Sequence, residues 1–131
     1  MEAVTLKVRI SVLWIFMAVA WHRCTAFWEP GVIEQILAGE WAEFQTPETL
    51  LFGALAWLVP LTMAFLSVTL KDTANRRANL VMGVGFIPLS IIHFIIHLEQ
   101  PTAHALLIVG STAVVPALIA WYAWKWPTQE A

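Results

Sequence analysis

Asn79-Leu80-Val81-Met82-Gly83-Val84-Gly85-Phe86-Ile87-Pro88-Leu89-Ser90-Ile91-Ile92-His93-Phe94-Ile95-Ile96-His97-Leu98 runs without a single Asp, Glu, Lys or Arg. About 20 mainly apolar residues in helical form cross the hydrocarbon core of a bilayer, so this stretch, with Ala78 ahead of it, predicts a span over 78–98. Within it Asn79, Gly83, Phe86, Ser90, His93 and His97 recur at intervals of 4, 3, 4, 3 and 4. That spacing draws one stripe along a helix. Leu80, Ile87, Ile91, Ile95 and Leu98 take the opposite side and are apolar enough to face lipid. Polar groups at membrane depth turn toward other protein rather than toward lipid, so the stripe requires partner helices.

Three further windows supply them, at about 10–28, 49–70 and 102–124. The expected architecture is an all-α integral membrane four-helix bundle in one domain, 1–131, with a connection over 29–48. Composition agrees. The chain has 131 residues, 60% hydrophobic and 12% charged, against roughly 45–50% and about 25% in soluble domains. With 7 Lys+Arg and 9 Asp+Glu there is too little charge to cover a soluble surface, and disorder is excluded for the same reason. A net charge of −2 offers no basic stripe for nucleic acid, and one cysteine excludes an internal disulfide framework.

Lys7, Arg9, Lys71, Arg76, Arg77 and Lys125, six of the seven cations, fall on one side of the predicted spans, Arg23 being the exception. The other side collects Glu29, Glu34, Glu40, Glu43, Glu48 and Glu99. The positive-inside rule then puts both termini in the cytoplasm. Trp28 and Trp41 at one level, with Trp124 and Trp126 at the other, fit interfacial belts. Lys7, Arg9 and the short apolar stretch to Ala18-Val19-Ala20 also have the outline of a cleavable signal peptide, although Trp14, Trp21 and Trp28 keep one helix face through the cut. Thr46-Pro47-Glu48 reads as a helix start, Gln100-Pro101-Thr102 as a tight turn, and 71–77 as a polar turn. In the connection, Ile33, Ile36, Leu37, Trp41 and Phe44 at helical spacing predict a short amphipathic helix broken at Gly39, serving as a lid or cap.

At about 1.5 Å per residue, His93 lies roughly 7–8 Å inside Leu98 and His22 about 9 Å inside Trp28. His104, Ser111 and Tyr122 share a face of the last span, and turning that face and the 79–97 stripe toward His22 makes an outward-opening polar pocket. Its candidate ligand-binding residues are His22, Arg23, Ser90, His93 and Ser111. His93 and His97, at i and i+4, can reach one metal ion, zinc or copper, with His104, His22 or a glutamate as third ligand. Equally, each imidazole can bridge helices through a hydrogen bond. Haem requires a ligand opposite His93, from His22 or His104. Arg23 suits an anionic or quinone-like headgroup, or snorkels to the interface. Cys24 has no Cys-x-x-Cys partner for disulfide exchange. The tryptophan row either stacks on a flat ligand or packs, and Pro60, Pro88 and Pro116 either widen a mid-depth pocket or merely bend their helices.

Thr5-Leu6-Lys7-Val8-Arg9, Glu29-Pro30-Gly31-Val32-Ile33-Glu34, the run 61–72 leading into Asn75-Arg76, and Pro116-Ala117-Leu118-Ile119 through Trp126-Pro127 together resemble a family of small bacterial four-span membrane proteins known as a domain of unknown function. The resemblance covers nearly the full length and implies a bacterial cytoplasmic membrane. It carries no activity, so it transfers no catalytic residue. In size and span count the chain is also similar to DoxX-like proteins, some of which accompany respiratory quinol oxidases, a likeness of fold alone. Three function classes follow. The first is a membrane binding protein or complex subunit holding a metal or lipophilic small molecule. The second is a membrane enzyme using His93 or His97 as acid or base on a lipid-soluble substrate. The third is a small transporter, which would need a homo-oligomer to form a path.

Overall fold

The helix starts are written in side-chain chemistry. Thr46 Oγ1 accepts from the Thr49 amide at 3.3 Å, Pro47 takes the first helical position and Glu48 the first turn. Thr102 repeats the cap, accepting from the Ala105 amide at 3.0 Å. The computed structural model describes residues 2–22, 27, 29–42, 45–99 and 101–127, with the side chain of His22 left out. Among these residues the helices are α1 (Ala3–His22), α2 (Val32–Leu37), α3 (Pro47–Thr69), α4 (Asp72–Ile96) and α5 (Ala103–Trp124). The four long ones are each long and apolar enough to cross a membrane. Large apolar side chains such as Leu50, Leu51, Phe52, Leu55, Val81, Val84, Ile92 and Leu107 stand exposed on the outside, a surface compatible with contact to a bilayer.

Two boundaries differ from the sequence reading, both because a charged or amide side chain finds a partner inside the bundle. α1 starts at Ala3 rather than near Ile10. It can include Lys7 because the ammonium lies 2.8 Å from Asp72 Oδ1 and donates to the Leu70 carbonyl at 3.0 Å. α4 starts at Asp72 rather than near Ala78, which leaves only Leu70 and Lys71 between it and α3. Asn75, expected in a polar turn, is wholly buried and donates to the Ser67 carbonyl at 2.6 Å. The residues expected to form a turn over 72–77 are therefore the first turns of a helix.

α1 packs along α3 and α5, and α4 packs along α5, while α3 and α4 meet over little of their length. α1 and α4 form a diagonal, bridged by large side chains: Trp14 meets Phe86 edge-on at 5.3 Å, and Trp21 meets Phe86 at 6.0 Å. Both indoles lie in the core with Leu6, Ile10, Met17, Met63, Ile119 and Ala123. α4 and α5 approach so closely that a Cβ on Gly83 would sit 3.0 Å from the Ala120 nitrogen and 3.2 Å from the Pro116 carbonyl oxygen. Only glycine permits that backbone contact.

The short connecting helix is present and stops before Gly39, which has a positive φ of 77°. Its expected role as a cap is only slightly met, since Val32 is buried but Ile33 and Leu37 are exposed. Trp124 is exposed as a belt residue would be, whereas Trp126 is buried and belongs to the core. Pro60 and Pro116 are buried but Pro88 is exposed, so the three prolines do not line one pocket.

Candidate functional site

The α4 stripe reads as expected from the inside: Asn75, Asn79, Gly83, Phe86 and Ser90 are all buried. It carries two polar regions, one at the end of the bundle that holds Ala3 and Trp124, the terminus end, and one at the α2 end.

At the terminus end the groups around Asn79 satisfy one another, although the Trp126 indole Nε1 at the same end is buried without a partner among the described residues. Asn79 Oδ1 accepts from Trp14 Nε1 at 2.7 Å and from Ser67 Oγ at 3.0 Å. Asn79 Nδ2 donates to the Asn75 carbonyl at 3.0 Å and to Asn75 Oδ1 at 2.6 Å. A side-chain amide offers two acceptor and two donor positions, and all four of Asn79 are used. Ser67 shares its proton between Asn79 and the Met63 carbonyl at 2.6 Å, and Ser11 donates to the Ala64 carbonyl at 2.9 Å. The Lys7–Asp72 pair closes the end of this network. Sequence reasoning named Asn79 but missed its partners Trp14, Ser67 and Asn75, and missed the Lys7–Asp72 pair beside them. A signal was there, because Asp72 and Asn75 extend the stripe toward the chain's N-terminal side at intervals of 3 and 4.

At the α2 end the pattern is reversed. Ser90 Oγ and Trp21 Nε1 are buried and have no hydrogen-bond partner among the described residues. Trp21 stands edge-on to the His93 ring at 4.7 Å, and Phe52 lies 6.2 Å from the same indole. His93 and His97 are half-buried, with ring centroids 4.8 Å apart and Nε2 atoms 3.0 Å apart. Ser90 lies three residues before His93 on the same stripe, so the hydroxyl is one turn from the imidazole. These groups set a buried hydroxyl, a buried indole N–H and an imidazole pair beside aromatic rings.

The other expected site residues are dispersed. His104 Nδ1 lies 3.1 Å from Glu29 Oε1, and Thr102 Oγ1 donates to the same oxygen at 3.4 Å. Ser111 donates to the Ile108 carbonyl of its own helix and lines an apolar groove between α1 and α5. Tyr122 carries the Arg9 guanidinium 5.9 Å from its ring centroid. The face of α5 that meets the bundle interior is instead Ala105, Val109, Thr112, Pro116, Ile119 and Ala123. The expectation that His104, Ser111 and Tyr122 would face the α4 stripe is corrected, because small residues on that inner face are what allow the close approach at Gly83. Arg23 and Cys24 lie outside the described residues, as does the side chain of His22. Among the described residues no group of three or more His, Cys, Asp or Glu is placed to hold a metal ion. His93 and His97 are thus brought together, and His104 does not join them.

A family model described as "Family of unknown function (DUF6326)" matches residues 4–131. No curated protein matches the chain, and no solved structure does.

Proposed function

We propose that this chain, which belongs to the family of unknown function DUF6326, is an integral membrane binding protein or complex subunit that holds a lipophilic small molecule at the α2 end of its bundle. The observation that carries the reading is the pair of buried, unpartnered groups, Ser90 Oγ and Trp21 Nε1, beside His93. A buried polar group without a partner costs about 1–3 kcal/mol, and a bound carbonyl or hydroxyl accepting from the indole and the serine recovers that cost. Trp21, Phe52 and Phe86 supply an aromatic wall for a flat or branched apolar body. With six of seven cations at the terminus end, the α2 end faces outward and both termini are cytoplasmic. The compartment that follows is a bacterial cytoplasmic membrane.

A second reading is favoured by the His93–His97 spacing. Two imidazole nitrogens on one tetrahedral zinc at about 2.0–2.1 Å stand roughly 3.4 Å apart, a few tenths of an ångström beyond the 3.0 Å found here. A small ring rotation would admit zinc or copper, with His22, whose side chain lies outside the described residues, as a third-ligand candidate from the sequence. Haem has less support, since an axial ligand opposite His93 is needed. The acid–base enzyme uses the same imidazoles and differs only in turning the molecule over.

One preparation separates these readings. Full-length protein purified in detergent is divided between solvent extraction with mass spectrometry and elemental analysis with a visible spectrum. The expected result is an organic molecule retained near one per chain and lost in Ser90→Ala and His93→Ala. Stoichiometric zinc or copper lost in His93→Ala and His97→Ala would favour the metal. Neither organic molecule nor metal, in wild type or variants, would end the binding proposal. Topology is read separately in a Cys24→Ser background, where a cysteine at Glu40 should react with an impermeant reagent added outside and one at Lys71 should not.

A further inference from the structure

We infer that the seam between α1 and α5 binds a phospholipid with an anionic headgroup, its acyl chain in the apolar groove and its phosphate on Arg9. The groove has a volume of about 450 Å³, opens to the outside of the bundle, and is lined by Val12, Leu13, Phe16, Ser111, Val114 and Val115. Its one hydroxyl is already committed, since Ser111 donates to the Ile108 carbonyl. The groove therefore presents only apolar atoms to an occupant. α1 runs along α5 less closely than along α3, which is why this seam is left open.

The headgroup end is set by helix geometry. Arg9, Val12, Leu13 and Phe16 are spaced 3, 1 and 3 apart, so they lie on one face of α1, with Arg9 one turn beyond the groove toward the terminus end. On α5, Ser111, Val115 and Tyr122 continue one face in the same direction, at intervals of 4 and 7. The two faces meet where the Arg9 guanidinium lies over the Tyr122 ring at 5.9 Å. A guanidinium held near a ring by cation–π attraction keeps its fork of N–H donors, the group that takes phosphate oxygens in pairs. Arg9 is exposed, unlike Lys7 two residues before it, which is engaged with Asp72. A cation at the mouth of an apolar channel complements a phosphate joined to a hydrocarbon chain. A second copy of this chain would have to bring both an anion and a slender apolar side chain to the same seam. The inference rests on the chain lying in a bilayer, as proposed above, but not on the His93 site.

Native mass spectrometry of the full-length protein in detergent, titrated with phosphatidylglycerol or phosphatidylcholine of the same acyl composition, tests it. Wild type should retain phosphatidylglycerol about five-fold better than phosphatidylcholine, the factor corresponding to about 1 kcal/mol for one basic residue at an anionic lipid. Arg9→Gln should reduce phosphatidylglycerol to the phosphatidylcholine level. Val12→Trp and Val114→Trp fill the groove from opposite walls at exposed positions and should lower retention of both lipids. Arg77→Gln, an exposed cation elsewhere at the same end, and His93→Gln should change neither. Equal retention of the two lipids by wild type, or a loss in Arg77→Gln equal to that in Arg9→Gln, would overturn the inference. So would undiminished retention in both tryptophan variants, or a dimer that these variants dissolve. Unchanged lipid retention in His93→Gln keeps failure of this site distinct from failure of the α2-end site.

Discussion

Asn79 and Ser90 lie on the same stripe of the same helix, both wholly buried, yet Asn79 has all four hydrogen-bonding positions filled while Ser90 Oγ has no partner among the described residues. At the terminus end, amides, an indole and a hydroxyl from three helices were selected to complete one another. At the α2 end, a hydroxyl and an indole are brought into the interior and left incomplete. In an apolar bundle a completed network fixes how helices meet, and it has no capacity left for anything else. An incomplete one is costly unless something else completes it. The difference separates a completed network around Asn79 from an incomplete one around Ser90 on the same helix, and the proposed binding site is placed at the incomplete one.

The largest effect expected from this contrast is at its completed end. Asn79→Ala strands the Trp14 N–H and the Asn75 carboxamide oxygen together, leaving Ser67 its bond to the Met63 carbonyl, and should destabilise the protein by about 2–3 kcal/mol in reversible unfolding from detergent. A loss below about 0.5 kcal/mol would mean that the network contributes little and that the contrast is only geometric. Next comes Gly83→Ala, between the two regions. The added Cβ meets backbone atoms of α5 at 3.0 and 3.2 Å rather than a side chain that can rotate away, so a cost of about 1–2 kcal/mol is expected by the same measurement. Unchanged stability would show that α4 and α5 can separate freely.

Lys7→Met is smaller. The Lys7 and Asp72 side chains are 22% and 40% exposed, so solvent screens the pair and the expected loss is under about 1 kcal/mol, reduced further at high salt. The smallest effect belongs to the incomplete end. His93→Gln keeps a donor and an acceptor and should change stability by no more than about 0.5 kcal/mol while abolishing ligand retention. If His93→Gln costs as much as Asn79→Ala, the two ends do the same work and the binding proposal loses its basis.

The fold was legible because its signals are local. Apolar windows of span length, the Thr46-Pro47-Glu48 start and the 4-3-4-3-4 stripe each depend on residues close in sequence, and each recurs in the structure. The helix ends were less legible. Lys7 and Asp72 look like residues outside a membrane until they are seen to neutralise each other, and Asn75 looks like a turn residue until Ser67 is seen to accept from it. The site was legible only in part. His93, His97 and Ser90 could be paired along one helix by counting, but the rotation of α5, which turns Ser111 into the α1 seam and His104 to Glu29, depends on which α5 side chains are small enough to meet Gly83.

The sequence alone determined that this is an all-helical chain with four helices able to cross a membrane and with one polar stripe, because hydrophobic run length and helical period are properties of contiguous residues. Only the tertiary structure decided which polar groups are completed and which are left open. Trp14 reaches Asn79 across 65 positions, His104 reaches Glu29 across 75, and no count along one helix can tell which side chains from another will arrive there.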